Sequence, residues 1–188
     1  MPTHVVEKNV ADECGTLLAF LDAQRGGVRR SVLGLTDEQA STRPSASELS
    51  LRALLKHVIG AEREWVERAR GMAPESFEES MAGWEEGWRP SEEETVAVLL
   101  ARWDEVAART ERFVRSAALE DTFPLPEAPW LPQASRVSMR WLLLHLIEEI
   151  ARHAGHADIV RESIDGKTAF ELVDEEARVR ERGEAGRV

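Results

Sequence analysis

Residues 138–160 read Ser138-Met-Arg-Trp-Leu-Leu-Leu-His145-Leu-Ile-Glu-Glu149-Ile-Ala-Arg-His153-Ala-Gly-His156-Ala-Asp-Ile-Val160. Within them Met139, Leu142, Leu146, Glu149, His153, His156 and Val160 follow at steps of 3, 4, 3, 4, 3 and 4, the seam of a helix that buries one face. Three of the seven are ionisable. At 3.6 residues per turn His153 lies within ~20° of Leu146, near the middle of the face that also carries Ile150 and Ala157, and Glu149 sits on its shoulder. A carboxylate carried into a helical interface is costly unless it is paired or bound to a metal. Side chains four apart on a helix can point at one ion.

Working outward, Ser138 opens this helix and Asp165-Gly166 is a C-cap. Three further stretches carry helical periodicity. The first runs from about His4 to Leu33, with Val6, Val10, Leu17, Leu18 and Leu21 on its apolar stripe, and Gly26-Gly27 is expected to loosen or kink it. The second runs from about Glu48 to Ala69, after Pro44-Ser45, capped by Ser47 or Ser50. The third starts at Ser91, where Ser-Glu-Glu-Glu reads as an N-cap and an acidic first turn, and reaches about Ala118. Residues 71–90 and a stretch holding Pro124, Pro126, Pro129 and Pro132 read as long connections. No stretch has a period of two. The expected fold is therefore all-α, a four-helix bundle over residues 1–166 with two long connections able to wall a pocket at one end. Residues 167–188 read as a charged tail or a short extra helix.

The composition excludes several classes. With 24 Lys+Arg against 35 Asp+Glu, the net charge of -11 leaves no basic surface for nucleic acid. No apolar run approaches the roughly 18 residues of a membrane span, and the N-terminus has no secretory order. The single cysteine, Cys14, sits on an apolar stripe as a small hydrophobe and fits a reducing compartment, so the expected location is the cytoplasm. There is no phosphate loop, no His-Glu-x-x-His and no paired CxxC.

His57, in Leu54-Leu55-Lys56-His57-Val58-Ile59, is a second inward candidate. Alone it reads as a hydrogen-bonded structural histidine. With Glu149 and His153 it completes a set of two imidazoles and one carboxylate, enough for catalytic Zn²⁺ or for Fe²⁺ with a coordination position left open. The competing reading is an i, i+4 ion pair between His153 and Glu149, with Glu148, Arg152 and Arg161 on a solvated face. His156 is the alternative ligand, and His145 is expected beside the site or on the surface. Trp65, Trp103 and Trp141 read as core. Trp84, Trp88 and Trp130 either line a pocket or pin the loops.

The stretches Leu51 to Trp65 and Ser138 to Asp158, with Phe20-Leu-Asp-Ala-Gln-Arg25, resemble the DinB/YfiT-like superfamily. The nearer resemblance is to its actinobacterial branch of mini-circle proteins and the bundle domain of mycothiol-dependent maleylpyruvate isomerase. It implies an up-down-down-up four-helix bundle over about residues 5–166 holding one divalent metal, Zn²⁺ first, with Ni²⁺ or Fe²⁺ as alternatives. Many members use three histidines. Here Glu149 takes the place of the first of the two on the last helix, as in the isomerase-like branch, and His153 matches the second. The implied ligands are His57, Glu149 and His153. The implied activity is a thiol-dependent transferase or detoxification enzyme of the mycothiol or bacillithiol type, acting on a small electrophile, with mycothiol as co-substrate and a homodimer as the assembly. The alternatives are a non-catalytic metal-binding stress protein and a metal-dependent hydrolase.

Overall fold

The computed structural model describes residues 12–72, 77–126 and 135–185. Among them the chain forms α1 (Glu13–Ser31), α2 (Asp37–Ser41), α3 (Leu51–Ala69), α4 (Phe77–Glu86), α5 (Val96–Arg115), β1 (Thr122–Pro124), β2 (Arg136–Ser138), α6 (Met139–Asp165) and α7 (Ala169–Ala185). Among the described residues the fold is all-α apart from the two short strands. None of the described helices is long and apolar enough to cross a membrane.

Helix α6 begins and ends where its sequence says. The Ser138 hydroxyl accepts from Trp141 N at 3.1 Å, and Gly166 takes a left-handed φ of 78°, which glycine adopts without steric cost. Ser50 caps α3 by accepting from Ala53 N at 3.2 Å. Helix α1 packs along α6, and α3 packs against both α5 and α6. Leu21, Leu55, Val58, Trp103, Leu142, Leu143, Leu146 and Ile150 fill the space between them. Trp103 is fully buried, while Trp65 and Trp141 are partly buried against the same core. Cys14 is also packed there, and burial pushes its thiol above the ordinary value.

Several sequence expectations are corrected. Helix α1 runs unbroken through Gly26-Gly27, because packing along α6 outweighs the helix-loosening tendency of glycine. Its expected start, with Val6 and Val10, lies outside the described residues. A third of the way along the 71–90 connection a helix forms after all, α4, whose described side chains are exposed. The third long helix opens at Thr95, whose hydroxyl accepts from Val98 N, four residues after Ser91. Ser91 instead donates its N–H to the Glu94 carboxylate in a turn. The proline-rich connection starts and ends as a two-stranded antiparallel ladder pairing Phe123 with Val137. Three residues per strand are too few for a period of two to register. Residues 169–185 form a helix whose Leu172 is buried and whose Glu176 meets Arg30 of α1 at 3.2 Å.

Inside the core lies a charge that the sequence reading left without a role. Glu62 of α3 is completely buried and accepts four hydrogen bonds. Two come from Arg25 of α1, at 2.5 and 3.1 Å, one from the Trp103 indole N–H of α5 at 2.9 Å, and one from the Thr110 hydroxyl at 2.6 Å. The carboxylate thereby ties three helices together. A second buried cation, Arg161, does not belong to a solvated face. It donates to Ser31 O and Leu33 O at 2.8 Å, satisfying carbonyls at the end of α1, and pairs with Asp165.

Candidate metal centre

Helices α3 and α6 face each other so that His57 from one meets Glu149 and His153 from the other. His57 Nε2 lies 3.2 Å and His153 Nε2 3.0 Å from the same oxygen, Glu149 Oε1. The three donor atoms lie within 4.8 Å of one another. Both histidines are buried, whereas the Glu149 side chain keeps 25% of its surface exposed and faces an opening. A pair confined to α6 would need only Glu149 and His153; the arrival of His57 from α3 on the same oxygen makes a three-armed cluster. Hydrogen bonds from His153 and His57 hold the Glu149 carboxyl well below the usual carboxylate range, against the opposing effect of burial, so it is an anion at neutral pH.

The donor set suits a divalent ion. Two neutral imidazole nitrogens and one carboxylate oxygen are a known three-ligand combination for zinc and related metals. Binding would displace the protons that the two Nε2 atoms now share with Glu149. His153 has somewhere to put its own: its Nδ1 lies 3.4 Å from His156 Nδ1, and that contact can run in either sense according to tautomer. His156 therefore stands behind His153, and it is not one of the three atoms that converge.

Aromatic rings fix the orientation of this cluster. Trp88 stacks on His57 with ring centroids 3.8 Å apart and planes 13° apart, and lies edge-on to His153. The segment carrying Trp88 is fastened by Lys56, next to His57, whose ammonium donates to Arg89 O at 2.9 Å and pairs with Glu94 at 2.9 Å. Arg102 also pairs with Glu94, at 2.6 Å. Burial alone would raise the Glu94 carboxyl, but hydrogen bonds from Lys56, the Ser91 amide and Arg102 win and bring it down to about 2. Its folded value thus lies below the ordinary 4.5, so its contribution is fully present above that pH and is lost as pH falls toward 2. Glu94→Gln is expected to cost on the order of 2 kcal/mol at pH 7, allowing for solvent screening. The gap from wild type should shrink as pH falls below 4.5 and close only as it passes about 2 in urea titrations; a gap that stays constant with pH would contradict this assignment.

A cavity of about 260 Å³ opens beside the cluster, lined at one end by His57 and Glu149 and elsewhere by Glu64, Trp65, Trp84 and His145. His145 is neither a ligand nor a surface residue. It lies stacked on Trp141, 4.8 Å between centroids, and edge-on to Trp65 at 4.5 Å, and burial lowers its basicity, so it is a neutral ring in the cavity wall. Trp84 is half exposed on α4. Trp130 lies outside the described residues.

Residues 16–166 match the family described as mycothiol-S-transferase. No curated protein matches the sequence. Among solved structures, the crystal structure of a conserved protein from Enterococcus faecalis superimposes with a TM-score of 0.60 at 17% identity, covering 83% of this chain and 99% of that one. At that identity the likeness is one of fold.

Proposed function

Because the chain belongs to the mycothiol-S-transferase family, of DinB/YfiT-like fold, we propose that it is a divalent-metal-dependent enzyme that joins the sulfur of mycothiol, or a related low-molecular-weight thiol, to a small electrophile. The observation that carries this reading is the convergence of His57, Glu149 and His153, two of which, His57 and Glu149, line a cavity. These three would hold the metal, with Zn²⁺ ahead of Ni²⁺ or Fe²⁺. When bound, the ion would lower the pKa of a thiol presented to it. The chain's own residues do the rest. Glu149 supplies the negative charge, Trp88 and His156 fix the two imidazoles, and the neutral His145 ring offers a hydrogen-bonding wall without adding charge.

In this reading α1, α3, α5 and α6 are the family's up-down-down-up four-helix bundle, residues 1–166 form its domain, and residues 167–188 are an appendage that carries α7. A low-molecular-weight thiol partner and the single free cysteine, Cys14, support a cytoplasmic location, and the proposed assembly is a homodimer. The test is a coupling assay. Protein stripped of metal and then reloaded with Zn²⁺, Ni²⁺ or Fe²⁺ is mixed with mycothiol and 1-chloro-2,4-dinitrobenzene. Consumption of the thiol should require the metal and stop on chelation, with helicity retained. Loaded protein with no affinity for any cellular thiol would contradict the proposal, and unfolding on chelation would assign the metal a structural role instead.

A further inference from the structure

His57 and Glu64, about two turns apart on α3, both line the cavity, with Glu149 beside His57. At about 260 Å³ it is below the usual volume for a whole drug-sized ligand, so a molecule held at the histidine cluster can set only one further arm against Glu64. Three features define that arm. The Glu64 carboxylate has the Arg63 guanidinium beside it, 3.4 Å from Oε1, which offsets its charge while leaving lone pairs on both oxygens for further donors. Gly60 on α3 and Gly83 on α4 flank the same oxygen: a Cβ at either would stand 3.9 Å from Oε1, in ordinary van der Waals contact. The indoles of Trp65 and Trp84 form the wall, and Trp65 is held in place by Trp141 and His145.

A carboxylate and two indoles lining one cavity match a ring that carries hydroxyl groups. Hydroxyls donate to the carboxylate as charge-assisted hydrogen bonds, and the C–H face of the ring covers apolar indole surface. A cationic arm gains less there, because Arg63 already offsets the charge. We infer that Glu64 is the specificity-determining residue of a subsite for the hydroxyl-rich, sulfur-free arm of the thiol substrate. This rests on the reading that the other end of the cavity handles the sulfur. Mycothiol is N-acetylcysteine linked by an amide to glucosaminyl-inositol, so its two arms can be probed separately.

Zinc-loaded wild type and Glu64→Ala are titrated calorimetrically with mycothiol, N-acetylcysteine and cysteamine. Wild type should bind mycothiol at least tenfold more tightly than N-acetylcysteine. Glu64→Ala should remove most of that preference, a loss of about tenfold or more from one charge-assisted hydrogen bond, with unchanged zinc content and unchanged affinity for N-acetylcysteine. Gly83→Leu, which fills the same space from α4, should reproduce the selective loss. A preference that survives in both variants, equal binding of the two acylated thiols by wild type, or tightest binding of cysteamine would each overturn the subsite and leave the thiol reading standing. Wild type that binds none of the three would overturn both.

Discussion

Arg25→Leu is expected to lower the stability of the fold by about 3–5 kcal/mol, since removing one partner leaves the other as an uncompensated buried charge. Arg25 supplies two of the four hydrogen bonds to Glu62, and the Arg25 side chain is 5% exposed and that of Glu62 not at all. The Trp103 and Thr110 donors remain in the variant, but neither carries charge. For a domain with the usual stability of about 5–15 kcal/mol, this is a large fraction of the whole. Replacing both residues at once, as Arg25→Leu with Glu62→Met, should recover much of the loss, because a buried ion pair and an apolar pair of similar volume are often close in energy. Urea denaturation of the three proteins checks this. A cost below about 1 kcal/mol for Arg25→Leu alone would mean that the pair is solvated or dispensable.

Glu149→Ala should have the opposite profile, with a small effect on the fold and a large one on metal. Its side chain is partly exposed, so little packing is lost. Its carboxylate is the oxygen toward which both imidazoles turn. Binding energies of about 10–16 kcal/mol for four-ligand zinc sites correspond to about 2.5–4 kcal/mol for each ligand. Losing one then weakens metal binding by a factor of about 10²–10³. Thiol transfer should fall with metal occupancy and return in part at high metal concentration. Competition with a chromophoric chelator measures the affinity; wild-type affinity in Glu149→Ala would exclude the carboxylate as a ligand.

Helix α6 was legible in the sequence because its seam keeps strict 3–4 steps from Met139 to Val160 and both ends carry capping residues. The same seam exposed Glu149 and His153 as charged groups out of place. His57 could not announce itself in that way, since its partners stand 92 and 96 positions away and only the packing of α3 on α6 brings them together. The Arg25–Glu62 pair did leave a signal. Glu62 lies between Val58 and Val66, and Arg25 between Leu21 and Val28, each a charge in the middle of an apolar stripe, the pattern that singled out Glu149. Helix α4 left little, because its described residues are exposed and helical periodicity reports burial. With α4 went one wall of the cavity, and with it the role of Trp84 and Gly83.

His57, Glu149 and His153 are the proposed ligands of one divalent metal. Elemental analysis of tag-free protein, after reconstitution and removal of excess ion, tests this assignment most directly when wild type is compared with His57→Ala and Glu149→Ala of unchanged helicity. Close to one equivalent of metal per wild-type chain is expected, and little in either variant. Equal, negligible metal in all three would contradict the assignment and leave the cluster a hydrogen-bonded structural triad.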